Sequence, residues 1–223
     1  MTPVAPTWPL QAVVFDLDGT LIDSAPGLCL AAGTTMDDLG LPRPDLATVI
    51  GFIGNGAPKL VERCLHWAGA DPVRHPDALA VFLRHYGRDP MIGTTAYDGA
   101  QDLLDALAAQ GLKLGLCTNK PAGPTHAILR ALPLGPFDAV LGGDSLPKRK
   151  PDPAPLLRVV ADLGADPVAT LYVGDSITDW RTARAAGIAY VHVEGGYQTT
   201  PIPDFAPWRT VASIAGVAGL IST

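Results

Sequence analysis

The sequence predicts an α/β fold: a core built on a parallel sheet, its strands covered by helices on both faces, with an all-helical insert near the N-terminus. Three observations carry that prediction. From Asp98 onward, short apolar runs alternate with amphipathic stretches of helical period, the rhythm of strand-helix-strand units. The strand runs are continuously apolar rather than alternating, as suits strands buried on both sides. Residues 24 to 92, by contrast, carry helical periodicity alone, broken by clusters of Gly and Pro.

Taken in order, Val13, Val14 and Phe15 form the first strand, and Gly19-Thr20 marks a loop after it. Leu28, Ala32, Thr35, Met36 and Leu39 then share one helical face, as do Leu60, Val61, Cys64, Leu65 and Ala68, and again Leu79, Phe82, Leu83 and Tyr86. Gly40 to Pro44 and Gly69 to Pro72 separate these three helices, and Gly51 to Gly56 is either a loop reaching for a ligand or a plain helix-helix turn. A helix from Ala100 to Gln110, a strand from Leu112 to Cys117 and a helix from Pro124 to Leu132 follow. Next come a strand from Ala139 to Leu141, a helix from Pro153 to Leu163 with Pro in its first turn, and a strand from Thr170 to Val173. A helix from Thr178 to Ala186, capped by Gly187, and a strand from Ala189 to Val193 complete the core. Pro201 to Trp208 reads as a surface loop before a short helix near Ser213 to Leu220. The core therefore spans residues 1–23 and 93–223, and the insert 24–92.

Composition narrows the partners. The 223 residues are 48% hydrophobic and 17% charged, which fits a folded globular chain with a large core. The formal charge of -6 gives no electrostatic pull toward polyanions, so nucleic acid is not expected as a partner. A phosphorylated ligand must be small and held by local cations such as Lys148-Arg149-Lys150. Cys29, Cys64 and Cys117 match neither a disulfide framework nor a zinc site and suggest a reducing compartment. Met1 to Pro9 reads as a frayed leader rather than a signal peptide, and no apolar run is long enough for a membrane span, so a cytoplasmic location is expected.

The chemistry gathers at the strand ends. If the chain leaves the ladder at Asp16, the carboxylates of Asp16 and Asp18 converge above the first strand. Two acids that close need a cation or a shared proton, which calls for either a metal or a division of acid and base roles. Thr118 ends another strand, where a hydroxyl and backbone N–H groups can bind an anion. Asp175 ends a third, with Asp179 one helical turn beyond it. In a Rossmann-like sheet, ligands bind at the carboxyl ends of the strands, so Asp16, Thr118 and Asp175 should meet in one crevice.

Four segments appear in a fixed order: Asp16-Leu17-Asp18-Gly19-Thr20-Leu21-Ile22-Asp23-Ser24, Cys117-Thr118-Asn119-Lys120-Pro121, Lys150-Pro151-Asp152-Pro153 and Gly174-Asp175-Ser176-Ile177-Thr178-Asp179. Through them the chain resembles the haloacid dehalogenase superfamily of phosphatases. The resemblance implies that Asp16 attacks phosphorus to form an aspartyl-phosphate, and that Asp18 protonates the leaving oxygen and then activates water. It implies that Gly19, Thr118, Asn119 and Lys150 hold the phosphoryl group, Lys150 also neutralising the nucleophile. It further implies Mg²⁺ as cofactor, bound by Asp16, Asp18, Asp175 and Asp179, the last directly or through water. Close relatives commonly carry Asn where Thr178 stands. The family's dehalogenases lack an acid at the position of Asp18, and its transport ATPases carry Lys at that of Leu17, so the pattern points to phosphoester hydrolysis or phosphomutation.

Gly54-Asn55-Gly56-Ala57, Gly142-Gly143-Asp144, the run after Lys150 and Gly195-Gly196-Tyr197 extend the likeness to the bacterial 2-phosphoglycolate phosphatases. That likeness implies hydrolysis of 2-phosphoglycolate to glycolate and phosphate. The alternatives are a phosphatase for another small phosphorylated metabolite and a β-phosphoglucomutase-like phosphomutase. A helical cap closing over phosphoglycolate should meet its carboxylate with a cation or amides. The candidates are the loop Gly54, Asn55, Gly56 and one of the two cations beside it, Lys59 or Arg63. Residues 20 to 25 and 90 to 97 are the expected hinges. The sequence leaves oligomeric state open, and with it the isomer of the Lys150–Pro151 bond.

Overall fold

The computed structural model describes residues 3–221. In chain order it runs β1 (Ala12–Phe15), β2 (Ile22–Asp23), α1 (Ala25–Asp38), α2 (Leu46–Ile50), α3 (Ala57–Trp67), α4 (His75–Arg88) and β3 (Thr95–Ala96). Then follow α5 (Ala100–Ala109), β4 (Lys113–Cys117), α6 (Ala122–Ala131), β5 (Ala139–Leu141), α7 (Ala154–Asp162) and β6 (Thr170–Gly174). The chain continues through α8 (Ile177–Ala186), β7 (Ala189–Val193), β8 (Arg209–Val211) and α9 (Ala218–Ile221).

Six strands form one parallel sheet in the order β5-β4-β1-β6-β7-β8. β1 is central and wholly buried, which is why its residues are apolar on both faces. Val13, Phe15, Leu114 and Leu116 face the layer of Leu103, Leu104 and Leu107 on α5. Val14 and Tyr172 face the opposite layer of Leu156, Val159 and Val160 on α7 and Trp180 on α8. With both faces covered, the functional groups are left to the carboxyl ends of the strands.

The helices α1 to α4 bury a cluster of their own, centred on Met36, Leu65, Phe82 and Tyr86. Two chain segments link them to the sheet, and these segments pair with each other. β2 and β3 form an antiparallel ribbon with Ile22 opposite Ala96 and Asp23 opposite Thr95.

Several details differ from the sequence reading. α2 lies in residues for which no element was expected; five residues are enough because Asp45 caps its first turn, accepting from the Thr48 N–H at 2.8 Å. β8 lies between the expected loop and the expected short helix, in residues for which no element was expected, and extends the sheet beside β7. The tail itself begins as a 3₁₀ turn, Ile214–Val217, before α9. The proline-rich loop is no mere surface strap, since Phe205 packs edge-on against Trp180, Tyr190 and His192. Leu83 faces solvent rather than the helical core. In the leader, Thr7 is anchored by its N–H and hydroxyl to the Val168 carbonyl, while Met1 and Thr2 lie outside the described residues. Among the described residues no helix is long and apolar enough to cross a membrane, and the three cysteines are free thiols.

Candidate active site

β1 delivers Asp16 and, past a turn, Asp18. The Leu17 carbonyl accepts from the N–H groups of Thr20, Leu21 and Ile22, folding the chain back on itself. Gly19 makes that turn with φ +84°, and a Cβ there would stand 2.5 Å from Asp175 Oδ2. Glycine is therefore required twice, for its conformation and for the approach of Asp175.

Asp16, Asp175 and Asp179 are buried together, each offering a carboxylate oxygen within 4.8 Å of the others. Asp175 accepts from the Thr20 hydroxyl at 3.0 Å and the Tyr197 N–H at 2.7 Å. Asp179 accepts from Lys150 Nζ at 2.7 Å, the Tyr172 hydroxyl at 2.8 Å and the Ser176 hydroxyl at 2.6 Å. It also completes a capping box with Ser176 at the start of α8, so one residue serves helix and site together. Lys150, which precedes a cis peptide bond to Pro151, comes in beneath, its Nζ 2.8 Å from Asp16 Oδ1.

The electrostatics follow from three carboxylates facing one ammonium. Burial and then the neighbouring Asp179 push Asp16 up to about 7. Burial, Asp179 and Asp16 push Asp175 well above the usual carboxylate range. Burial acts the same way on Asp179, but Lys150 outweighs it and holds that carboxyl low. The protein alone thus leaves negative charge uncompensated. Asp16 Oδ1 lies near Lys150 without receiving a directed hydrogen bond. Three hard oxygen donors, buried and short of positive charge, fit a divalent cation of the Mg²⁺ type.

Asp18, expected among the metal ligands, is not part of this group. Its Oδ1 accepts from the Ser24 hydroxyl and from Lys120 Nζ at 2.6 Å, so its charge is already met on the side facing the insert. Lys120 is the site residue to which the sequence reading assigned no role. Burial would lower its pKa, yet the charge of Asp18 outweighs that and raises it. Its position directly after Thr118 and Asn119 was the available signal.

The remaining candidates sort by what they touch. Thr118 is buried, and its hydroxyl accepts from the Lys120 N–H at 3.1 Å. It does not cap α6, whose N-terminal cap is Pro121. The side-chain amide of Asn119 donates to the carbonyls of Gly54 and Lys150, both at 3.1 Å, and so ties the insert to the core. Asn55 donates to the Thr178 hydroxyl at 2.9 Å and accepts from Arg63 at 2.8 Å, while Arg63 also donates to the Phe52 carbonyl. The loop at Gly54, Asn55 and Gly56 is thereby clamped over the strand ends, and Thr178 is its docking point. Lys59 is exposed and pairs with Glu62 at 2.6 Å, outside the enclosed space.

A profile of the haloacid dehalogenase-like hydrolases matches residues 13–193. A phosphoglycolate phosphatase of Rhodospirillum rubrum is 46% identical over 199 residues, covering 86% of this chain and 83% of that protein. One from Thiobacillus denitrificans is 39% identical over 219 residues, covering 96% of both. The crystal structure of a predicted phosphoglycolate phosphatase from Haemophilus somnus superposes with a TM-score of 0.88 at 33% identity, covering 96% of this chain and 98% of that one. With the family profile spanning the sheet from β1 to β7, and the acid, hydroxyl, lysine and acid groups gathered at its strand ends, the chain belongs to the haloacid dehalogenase-like hydrolases.

Proposed function

We propose that this chain is a Mg²⁺-dependent phosphatase that hydrolyses 2-phosphoglycolate to glycolate and phosphate. The observation that carries the reading is the division of acids at the end of β1. Asp16 stands in the buried carboxylate cluster beside Lys150, whereas Asp18 pairs with Lys120 on the side of the insert, and both line the cavity between core and insert. One carboxylate is placed to attack and the other to move protons. The names of the relatives support the substrate.

In this reading the Asp16 carboxylate attacks phosphorus, the new O–P bond forms, and the bond to the glycolate oxygen breaks. Asp18 gives that departing oxygen its proton, then takes one from the water that cleaves the aspartyl-phosphate. Lys150 and the Thr118 hydroxyl balance charge on the transferring group. Asp16, Asp175 and Asp179 would hold Mg²⁺, which would supply further charge neutralisation there. The clamp through Asn119 and Asn55 keeps bulk water from the acyl phosphate until glycolate has gone.

Phosphate release from 2-phosphoglycolate, compared with sugar phosphates, nucleotides and pyrophosphate and run with and without Mg²⁺, tests this. The expected result is metal-dependent release with a preference for phosphoglycolate that Asp16→Asn abolishes without loss of fold. Equal turnover across the panel would leave a phosphatase of another specificity. Interconversion of sugar phosphates without net release would make the chain a phosphomutase.

A further inference from the structure

The cavity over Asp16 and Asp18 has one polar feature that the proposed chemistry does not use. Its walls toward the helical insert are apolar, formed by Leu28, Ile53, Leu60 and Phe82. Into the same space faces Tyr86 of α4, 3% exposed, whose hydroxyl makes no well-aligned hydrogen bond among the described residues, although Lys120 lies within its reach. A buried hydroxyl left unpaired costs about 1–3 kcal/mol, so a native protein keeps one where something else comes to meet it. The ring is fixed, stacked on Phe82 at 5.9 Å between centroids. Burial raises its pKa, which keeps the O–H as a donor.

Beside it lies the one ammonium that lines this cavity. Lys120 Nζ is 4.9 Å from the centre of the Tyr86 ring, and of its three N–H bonds one is committed to Asp18. Neither cation expected from sequence is available. Lys59 is paired on the outer surface, and Arg63, held by Phe52 and Asn55, lines the adjoining cavity toward Asp175 rather than this one. An O–H and an N⁺–H converging beside the apolar wall of the insert match an anion with two oxygens. The cavity measures about 40 Å³, and Leu28, Leu60 and Phe82 close its far side, which favours a short extension beyond the phosphoryl group.

We propose that Tyr86 and Lys120 together receive the carboxylate of the substrate, making Tyr86 the residue through which the helical insert selects a short phosphorylated carboxylic acid. This rests on the phosphatase reading above and adds the source of its specificity. It also explains why the insert must close: Tyr86 comes from α4 and Lys120 from the loop after β4, so the pair exists only when the two parts meet.

The test compares kcat/KM for 2-phosphoglycolate and for ethyl phosphate, which carries a methyl group in place of the carboxylate, in the Mg²⁺-loaded wild type and in Tyr86→Phe. The wild type should favour phosphoglycolate, and the variant should lower that ratio by about 10- to 100-fold, the worth of a hydrogen bond to a charged group. A wild type without the preference would refute the substrate reading, and this inference with it. A wild-type preference that Tyr86→Phe leaves intact would overturn this inference alone. The melting temperature of the ligand-free variant is the second measurement. Removing an unpaired hydroxyl should leave it equal or higher; a marked fall would mean that the hydroxyl serves the fold rather than a ligand.

Discussion

Replacing Tyr197 with Phe removes one oxygen and three hydrogen bonds from the base of the helical insert. The Tyr197 hydroxyl accepts from the N–H groups of Ser24 at 2.7 Å and Ala25 at 2.9 Å, and donates to Asp23 Oδ1 at 2.7 Å. Ala25 keeps a second acceptor in Asp23, but the Ser24 N–H has no other among the described residues, and Ser24 is fully buried. Its desolvation costs about 1–3 kcal/mol, and the bond to the Asp23 carboxylate adds roughly 1.5–3 kcal/mol, partly recovered because Asp23 reaches water. A loss of about 3 kcal/mol follows, which for a chain of this size lowers Tm by roughly 6–12 °C. Differential scanning calorimetry reads it directly. KM for the substrate should rise as well, since the same hydroxyl fixes the strand leading into the insert while the Tyr197 N–H holds Asp175. A variant that melts within about 2 °C of wild type would refute the reasoning, because water or a neighbour would then be satisfying Ser24.

Three further outcomes are expected. In Gly196→Ala the new Cβ would stand 2.2 Å from the Asp175 Cβ, so the variant should lose about 1–3 kcal/mol in urea denaturation and bind Mg²⁺ more weakly by calorimetric titration. Mg²⁺ at about 100 times its Kd should stabilise the wild type by about 2.7 kcal/mol, an increment that Asp175→Asn largely removes in a thermal melt. Burial holds the His192 imidazole below its ordinary value, so the unfolded chain takes up the proton first as pH falls. Its contribution to stability is complete above about pH 6.5 and is lost as pH drops below that value, and urea midpoints at several pH values should show a shallower acid slope in His192→Phe.

What the sequence made legible was local. Continuous apolar runs marked the buried strands, and the acids at their ends were visible because a carboxylate after such a run has no role in packing. The residues that finish the site were less visible, because their partners are far away in the chain. Tyr197 meets Asp23 across 174 positions and Lys120 meets Asp18 across 102, contacts that no periodicity encodes. Lys59 looked suitable because it follows the Gly54-Asn55-Gly56 loop, yet α3 turns it outward to Glu62, where an exposed pair contributes little. Tyr86 was read correctly as part of a buried helical face, but periodicity does not distinguish a ring packed in a core from one whose oxygen faces a cavity. β8 is three residues long and takes its conformation from β7, so it carries little signal of its own.

The ribbon formed by β2 and β3 bears on how such a protein can change over evolutionary time. Because the outgoing and returning chains are hydrogen-bonded neighbours, the whole intervening segment is spliced in at one spot on the core. Its ends are already together in the folded state, so replacing it with a segment of different length or design alters the closure entropy only slowly. The splice leaves the strand-end acids in place while exchanging Tyr86 and the walls around it. With the roles proposed above for Tyr86 and the strand-end acids, recombination at this junction would trade substrate preference while conserving the reaction, and a chimera joined at Asp23 and Thr95 is the natural unit for doing so in the laboratory.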